Sequence, residues 1–264
     1  SGWLWYFPAA VLVKTPIVLL ALGGLGAWAA LRRPCAQAAW LFLPPLGYFL
    51  AALTSKTQIG YRHVLPFYPF LCLWAGLGAA RLWGLGAKGR AVLAAAGLWL
   101  AVSVGRNHPR HLSYFNEFVR PGRGHDWLAD SNLDWGQDLP ALARELASRG
   151  NPPMVLSYFG SADPQAHGLR YVPLLFMTNT ERAGNASLDP RGALLFAVSV
   201  TNLLGVYFRD HALLAWLRDR RPAALCGGSI FLYDLTDDRE GRARLADLLA
   251  ASGRPGDARV AAGR

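Results

Sequence analysis

Asp130, Asp134 and Asp138 recur at a spacing of four, after His125 and interleaved with Asn132 and Trp135. That set is open to three chemistries. One carboxylate can act as a general base while His125 carries the proton. Three carboxylates can hold a hard cation such as Ca²⁺ or Mg²⁺, whose ligands are oxygens. The third is binding of an acceptor or an interface partner, against which stands the plain reading that Asp and Asn side chains tie their own backbone into a loop ahead of a helix. Lys14, Tyr61, Arg62 and His63 pose a different problem, because the first acidic residue of the chain is Glu117. An Arg-His pair beside a Tyr offers several donors to one anion. With no carboxylate in that half, the natural counter-ion is external, such as a lipid phosphate.

The elements that must position these residues are of two kinds. Apolar runs cover 8–31, 37–54, 63–80 and 89–105, and about twenty residues suffice to cross a bilayer core. We therefore expect about four transmembrane helices over residues 1–105. Arg32 and Arg33 lie between the first two runs, and Arg81, Lys88 and Arg90 between the last two; both loops read as cytoplasmic by the positive-inside rule. Ser1, the loop 55–62 and everything after Gly105 then lie outside, with Trp3, Trp5, Tyr6 and Phe7 as an interfacial belt. Lys56 and Arg62 are basic residues on that outer side. Snorkelling accounts for a lone Lys56. Arg62 sits instead at a helix mouth, ahead of Pro66 and Pro69, which break the hydrogen-bond ladder and call for a compensating cavity or packing. Lys14, inside the first run, must snorkel, pair or face a polar cavity.

Residues 106–264 alternate between strand-like and helix-like patterns. Asp138 as N-cap with Pro140 in the first turn predicts a helix to Arg149, ended by Gly150. Strands are expected at 154–158, 192–200 and 230–234, and helices at 211–220 and 239–251, which together make a small α/β layer domain. There is no GxGxxG after a strand and no phosphate-loop GKS or GKT run. Cys35, Cys72 and Cys226 are too dispersed for structural zinc or a disulfide framework, and Asn185-Ala186-Ser187 is taken as a plain loop. The net charge of +10 stems from a first half with eight basic and no acidic residues. It therefore argues against a nucleic-acid partner, which would need a basic soluble face. The chain begins at Ser1 without a signal-peptide pattern and reads as the tail of a longer polypeptide or a truncated one.

The run Tyr61-Arg62-His63-Val64-Leu65-Pro66-Phe67-Tyr68-Pro69 resembles the Arg-Tyr/His-Leu-Leu-Pro-x-x-Pro signature of family 39 glycosyltransferases, which are protein-mannosyltransferase-like membrane enzymes of the GT-C type. Tyr6-Phe7-Pro8 through Lys14-Thr15-Pro16, and Leu112-Ser113-Tyr114-Phe115-Asn116-Glu117, are similar to a bacterial subgroup of it. So is Asp130-Ser131-Asn132-Leu133-Asp134-Trp135-Gly136-Gln137-Asp138-Leu139. The resemblance implies transfer of a sugar from a polyprenyl-phosphate carrier, the donor substrate, to a glycan, lipid or protein acceptor at the outer face of a bacterial inner membrane. Lys14, Tyr61, Arg62 and His63 would hold the carrier phosphate, and no cofactor or metal is assigned. The family's catalytic carboxylate lies in a first outer loop, and no Asp or Glu precedes Glu117 here. No catalytic residue is therefore assigned, and the isolated chain is expected to bind or shape rather than catalyse. Two alternatives are a membrane-anchored extracytoplasmic module that binds a glycan or protein without catalysis, and a hydrolase built on His125 and the aspartates, for which no nucleophile motif is present.

Overall fold

The structure, a computed structural model, describes residues 3–32, 36–55, 58, 60–175 and 184–263. Arg33, Cys35 and Lys56 of the sequence reading lie outside the described residues. The chain divides into two compact units, Ser1–Gly124 and His125–Arg264. The division falls about twenty residues after Gly105 because the segment beyond the last apolar helix folds back onto the first one.

The first unit is helical. α1 (Tyr6–Lys14) and α2 (Ile17–Leu31) come from a single apolar run but meet at a bend of 113°. Pro16 causes the break: it lacks an N–H, and it forces Thr15 into an extended conformation at φ −100°, ψ 134°. α3 (Ala36–Leu53) retains its helix through Pro44 and Pro45. A 3₁₀ helix (Tyr61–Phe67) runs directly into α4 (Tyr68–Trp83), followed by α5 (Ala87–Arg106). Among the described residues, Tyr61–Trp83 and Ala87–Arg106 are long and apolar enough to cross a membrane. The bent pair makes a third if it is counted as one span, and the apolar stretch Ala39–Leu53 falls short.

α2 and α4 pack at backbone contact. A Cβ on Gly26 would overlap the Trp74 carbonyl and lie 2.7 Å from Gly78 N, and one on Gly78 would overlap the Leu22 carbonyl. Small residues permit such approaches between apolar helices, where van der Waals contact rather than water exclusion drives association. At one end of this pair, the Arg32 and Arg81 guanidinium groups both lie over the Trp28 ring, at 4.8 and 5.4 Å. The basic residues of two separate connections therefore gather at one place. Elsewhere Phe7 and Val11 of α1 bury against Val64 of the 3₁₀ helix.

The second unit is a small mixed α/β layer. β1 (Met154–Ser157), β2 (Tyr171–Pro173), β3 (Leu195–Ser199), β4 (Ala224–Cys226) and β5 (Ile230–Asp234) form a sheet of order β2-β1-β3-β5-β4. β1 is parallel to both β2 and β3, whereas β5 runs antiparallel to β3 and β4. β1 and β3 are buried along their whole length, so both faces of the sheet centre are covered. On one face α6 (Leu139–Ala147) sets Leu139, Leu142 and Leu146, one helical stripe, against Met154, Leu156, Leu195, Ala197 and Ile230. Two short helices, α7 (Val200–Leu203) and α8 (Ala215–Arg218), follow β3. α8 is much shorter than the helix expected over 211–220. The chain ends in α9 (Arg239–Ala251), capped by Asp238 accepting from Gly241 N at 2.8 Å, and α10 (Pro255–Ala262).

Asn185, read from sequence as part of a plain loop, does structural work. Its amide accepts from Tyr171 N and donates to Leu169 O, both at 2.9 Å, which completes the pairing beside β2.

Candidate functional site

In the first unit the polar residues converge on the break between α1 and α2. Helix C-termini leave carbonyls without intrahelical partners, and here those of α1 are met by a segment about a hundred residues away. Asn116 donates to Leu12 O at 2.6 Å and to Thr15 O at 2.7 Å, and its own N–H reaches Val13 O at 2.9 Å. The Lys14 ammonium, 6 % exposed, donates to Leu112 O at 2.8 Å and sits 4.4 Å from the Phe115 ring centre. A buried cation at a helix C-terminus is favoured by the dipole as well as by these contacts. Lys14 thus joins α1 to the segment 112–116.

The third partner is the start of Tyr61–Trp83. The Thr15 hydroxyl is hydrogen-bonded to the Tyr68 hydroxyl, and the Tyr68 ring meets Tyr61 edge-on at 5.6 Å. Tyr61 is half-buried and Arg62 is exposed at the head of the 3₁₀ helix. His63 is half-buried; its carbonyl accepts from the Tyr48 hydroxyl at 2.7 Å, while its Nε2 is enclosed without a hydrogen bond. The candidate phosphate-holding residues therefore lie on two segments that Thr15 joins. Thr15, Tyr68 and Asn116 stand within the resembling stretches but have no role assigned from sequence. Asn116 carried a signal, a polar residue embedded among Tyr114, Phe115 and Phe118.

In the second unit the aspartates do not assemble into one acidic cluster. Among the described residues no group of three His, Cys, Asp or Glu side chains is placed to hold a metal ion. Asp130 adopts φ +55°, a left-handed conformation that short polar residues tolerate, and its carbonyl accepts from Leu133 N and Asp134 N. Asn132 donates to Ala129 O at 3.0 Å. Asp138 occupies the N-cap position of α6 but makes no capping hydrogen bond. Its Oδ2 instead accepts from Gly228 N, Ser229 N and the Ser229 hydroxyl at 2.8, 3.0 and 2.9 Å, so it fastens the β4–β5 connection to the start of α6. His125 lies edge-on to the Phe231 ring at 5.1 Å and 3.5 Å from the Asp126 carboxylate.

Asp134 is the exceptional member. It is fully buried, and its Oδ1 accepts from Gly136 N at 3.0 Å in an Asx turn. Thr201 N and the hydroxyls of Thr201 and Ser229 face the carboxylate and favour its charge, but none closes a hydrogen bond on Oδ2. Burial outweighs them and pushes the carboxyl up to about 7. Gly136 turns the chain at φ +77°, and its carbonyl accepts from the Tyr158 hydroxyl at 2.9 Å. A side chain there would run into that Tyr. The loop is thereby pressed onto the end of β1, and Trp135 is turned outward, with its indole N–H on Ser131 O at 3.2 Å.

Of the six candidates, the Asn132 and Asp138 side chains are committed to nearby or distant loop backbone, and Asp130 turns the chain through its own carbonyl. Trp135 faces outward, and Asp134 is buried with one oxygen on Gly136 N and the other without a hydrogen bond. Thr201 and Ser229, which complete the surroundings of Asp134, carried no sequence signal beyond being hydroxyl residues near strand ends. Comparison with protein-family models, with curated proteins and with solved structures finds no match to this chain.

Proposed function

We propose that this chain is part of an integral-membrane glycosyltransferase that moves a sugar from a polyprenyl-phosphate carrier to an acceptor at the outer face of a bacterial cell membrane. One observation carries the reading. Three of the four stretches behind the family resemblance meet at Thr15: its carbonyl takes the Asn116 amide, its hydroxyl pairs with Tyr68, and neighbouring Lys14 binds Leu112 O. Those stretches carry Lys14 and, on the segment leading to Tyr68, Tyr61, Arg62 and His63, four donors for which an anion is the complementary partner. In this reading the four apolar segments all insert, and the end bearing Arg32 and Arg81 faces the cytoplasm. The second unit then stands outside, and the chemistry is completed by a carboxylate that residues 1–116 do not contain.

Arg62 is the residue to test, since it is exposed at the head of a membrane-length helix. Arg62→Ala, introduced into the polypeptide that carries this chain in the cell, is expected to cut sugar transfer from a polyprenyl-phosphate donor by about a hundredfold, the scale of losing a charge-assisted contact of roughly 3 kcal/mol. Unchanged transfer from the same donor would remove the phosphate role.

A further inference from the structure

The carboxyl edge of β1 and β3 carries a surface that neither the aspartates nor the lipid-phosphate reading uses. β1 lies between β2 and β3 and is parallel to both, so the chain leaves β1 on one side and returns to β3 on the other. In open α/β sheets such a reversal opens a crevice at the carboxyl ends of the strands, and ligands settle there. Phe159 follows β1 and Tyr207 follows α7, and their rings stack at 5.7 Å with an interplanar angle of 8°. Tyr207 is 49 % exposed and Trp135 50 %. A Cβ on Gly160 would lie 2.8 Å from the Gly136 Cα, so the two glycines touch. Trp135 precedes Gly136 and Phe159 precedes Gly160, so both residues flank that contact beyond the carboxyl end of β1. Ser161, Arg209 and Asp210 are exposed on the same two loops.

We propose that this edge, formed by the Phe159–Tyr207 pair and Trp135, is a saccharide-binding site. Flat aromatic faces accept the C–H face of a sugar ring, and exposed hydroxyl, guanidinium and carboxylate groups beside them suit its hydroxyls. The site does not require the lipid-carrier reading: it would bind free sugar whether or not the chain takes part in transfer.

The test is saturation-transfer NMR on the full chain in a sugar-free detergent, with D-mannose, D-glucose, D-galactose, N-acetyl-D-glucosamine and maltotriose as probes. At least one is expected to bind saturably. Tyr207→Ala and Trp135→Ala should each weaken it by about fivefold, the scale of one stacking contact, while Tyr207→Phe keeps native binding. Tyr207→Leu, which fills space without a flat ring, gives the same reading if the Ala variant does not fold. The proposal is overturned if none of these sugars binds, if binding survives both Ala variants, or if Tyr207→Phe loses it. It is also overturned if phosphatidylglycerol vesicles alone shield Trp135 from acrylamide, read as the difference between the native chain and Trp135→Ala, because the surface is then a lipid contact.

Discussion

Asp134→Asn isolates the most unusual group in the second unit. Burial raises the Asp134 carboxyl from 3.8 to about 7. Between those values the native protein holds a proton that the unfolded chain has released, so stability falls as pH rises through the window. About three pH units at 1.36 kcal/mol each give roughly 4 kcal/mol in all. The part lost between about pH 5 and about pH 8 comes to roughly 2.5 kcal/mol. An asparagine keeps an acceptor for Gly136 N and cannot ionise, so the variant should lack this loss. Urea unfolding of the full chain in detergent, read by exchange protection of the β1 and β3 amides, reports on the second unit. The stability difference should shift toward the variant by about 2.5 kcal/mol from about pH 5 to about pH 8. A difference that does not change with pH, or a native protein that gains relative stability on raising pH, would refute the assignment of a neutral buried carboxyl.

Two other perturbations test the first unit. Asn116→Ala removes both side-chain hydrogen bonds to the end of α1; about 3 kcal/mol of stability should go with them, and limited proteolysis should then cut first within 107–119. Gly26→Leu drives a side chain into the Trp74 carbonyl, so cross-linking yield between cysteines placed on facing positions of α2 and α4 should fall steeply. Gly24, whose added Cβ would meet nothing within 4 Å, should accept Leu with no change in that yield.

Much of this fold is legible where local chemistry decides it. β5 and α9 occur at the residues expected, because a continuous run of strand-forming residues, Ile230-Phe231-Leu232-Tyr233, and an Asp238 cap act within the segment itself. The first apolar run is where composition misleads, since hydropathy cannot distinguish one long helix from two that turn at Thr15-Pro16. β2 and β4 span three residues each, too few for a period to register, and they exist because longer neighbours offer them an edge. The candidate sites follow the same division. That Asp and Asn residues would tie a loop is visible in their types. That Asp138 would hold residues 228–229, some ninety positions away, rather than cap its own helix is a tertiary choice. The burial of Asp134 depends equally on Thr201 and Ser229 arriving from two other elements. Lys14 was marked from sequence as a charge needing an external anion. Part of its need is met internally by Leu112 O and Phe115, partners that hydropathy alone does not reveal.

Native mass spectrometry of the chain, released from detergent with equal amounts of a polyprenol and its monophosphate, asks the central question most directly. The account predicts retention of the phosphate form over the neutral alcohol, with that preference lost in a variant carrying Arg62→Ala and His63→Ala. Equal retention of the two lipids, or a preference for the phosphate that survives both substitutions, would contradict it.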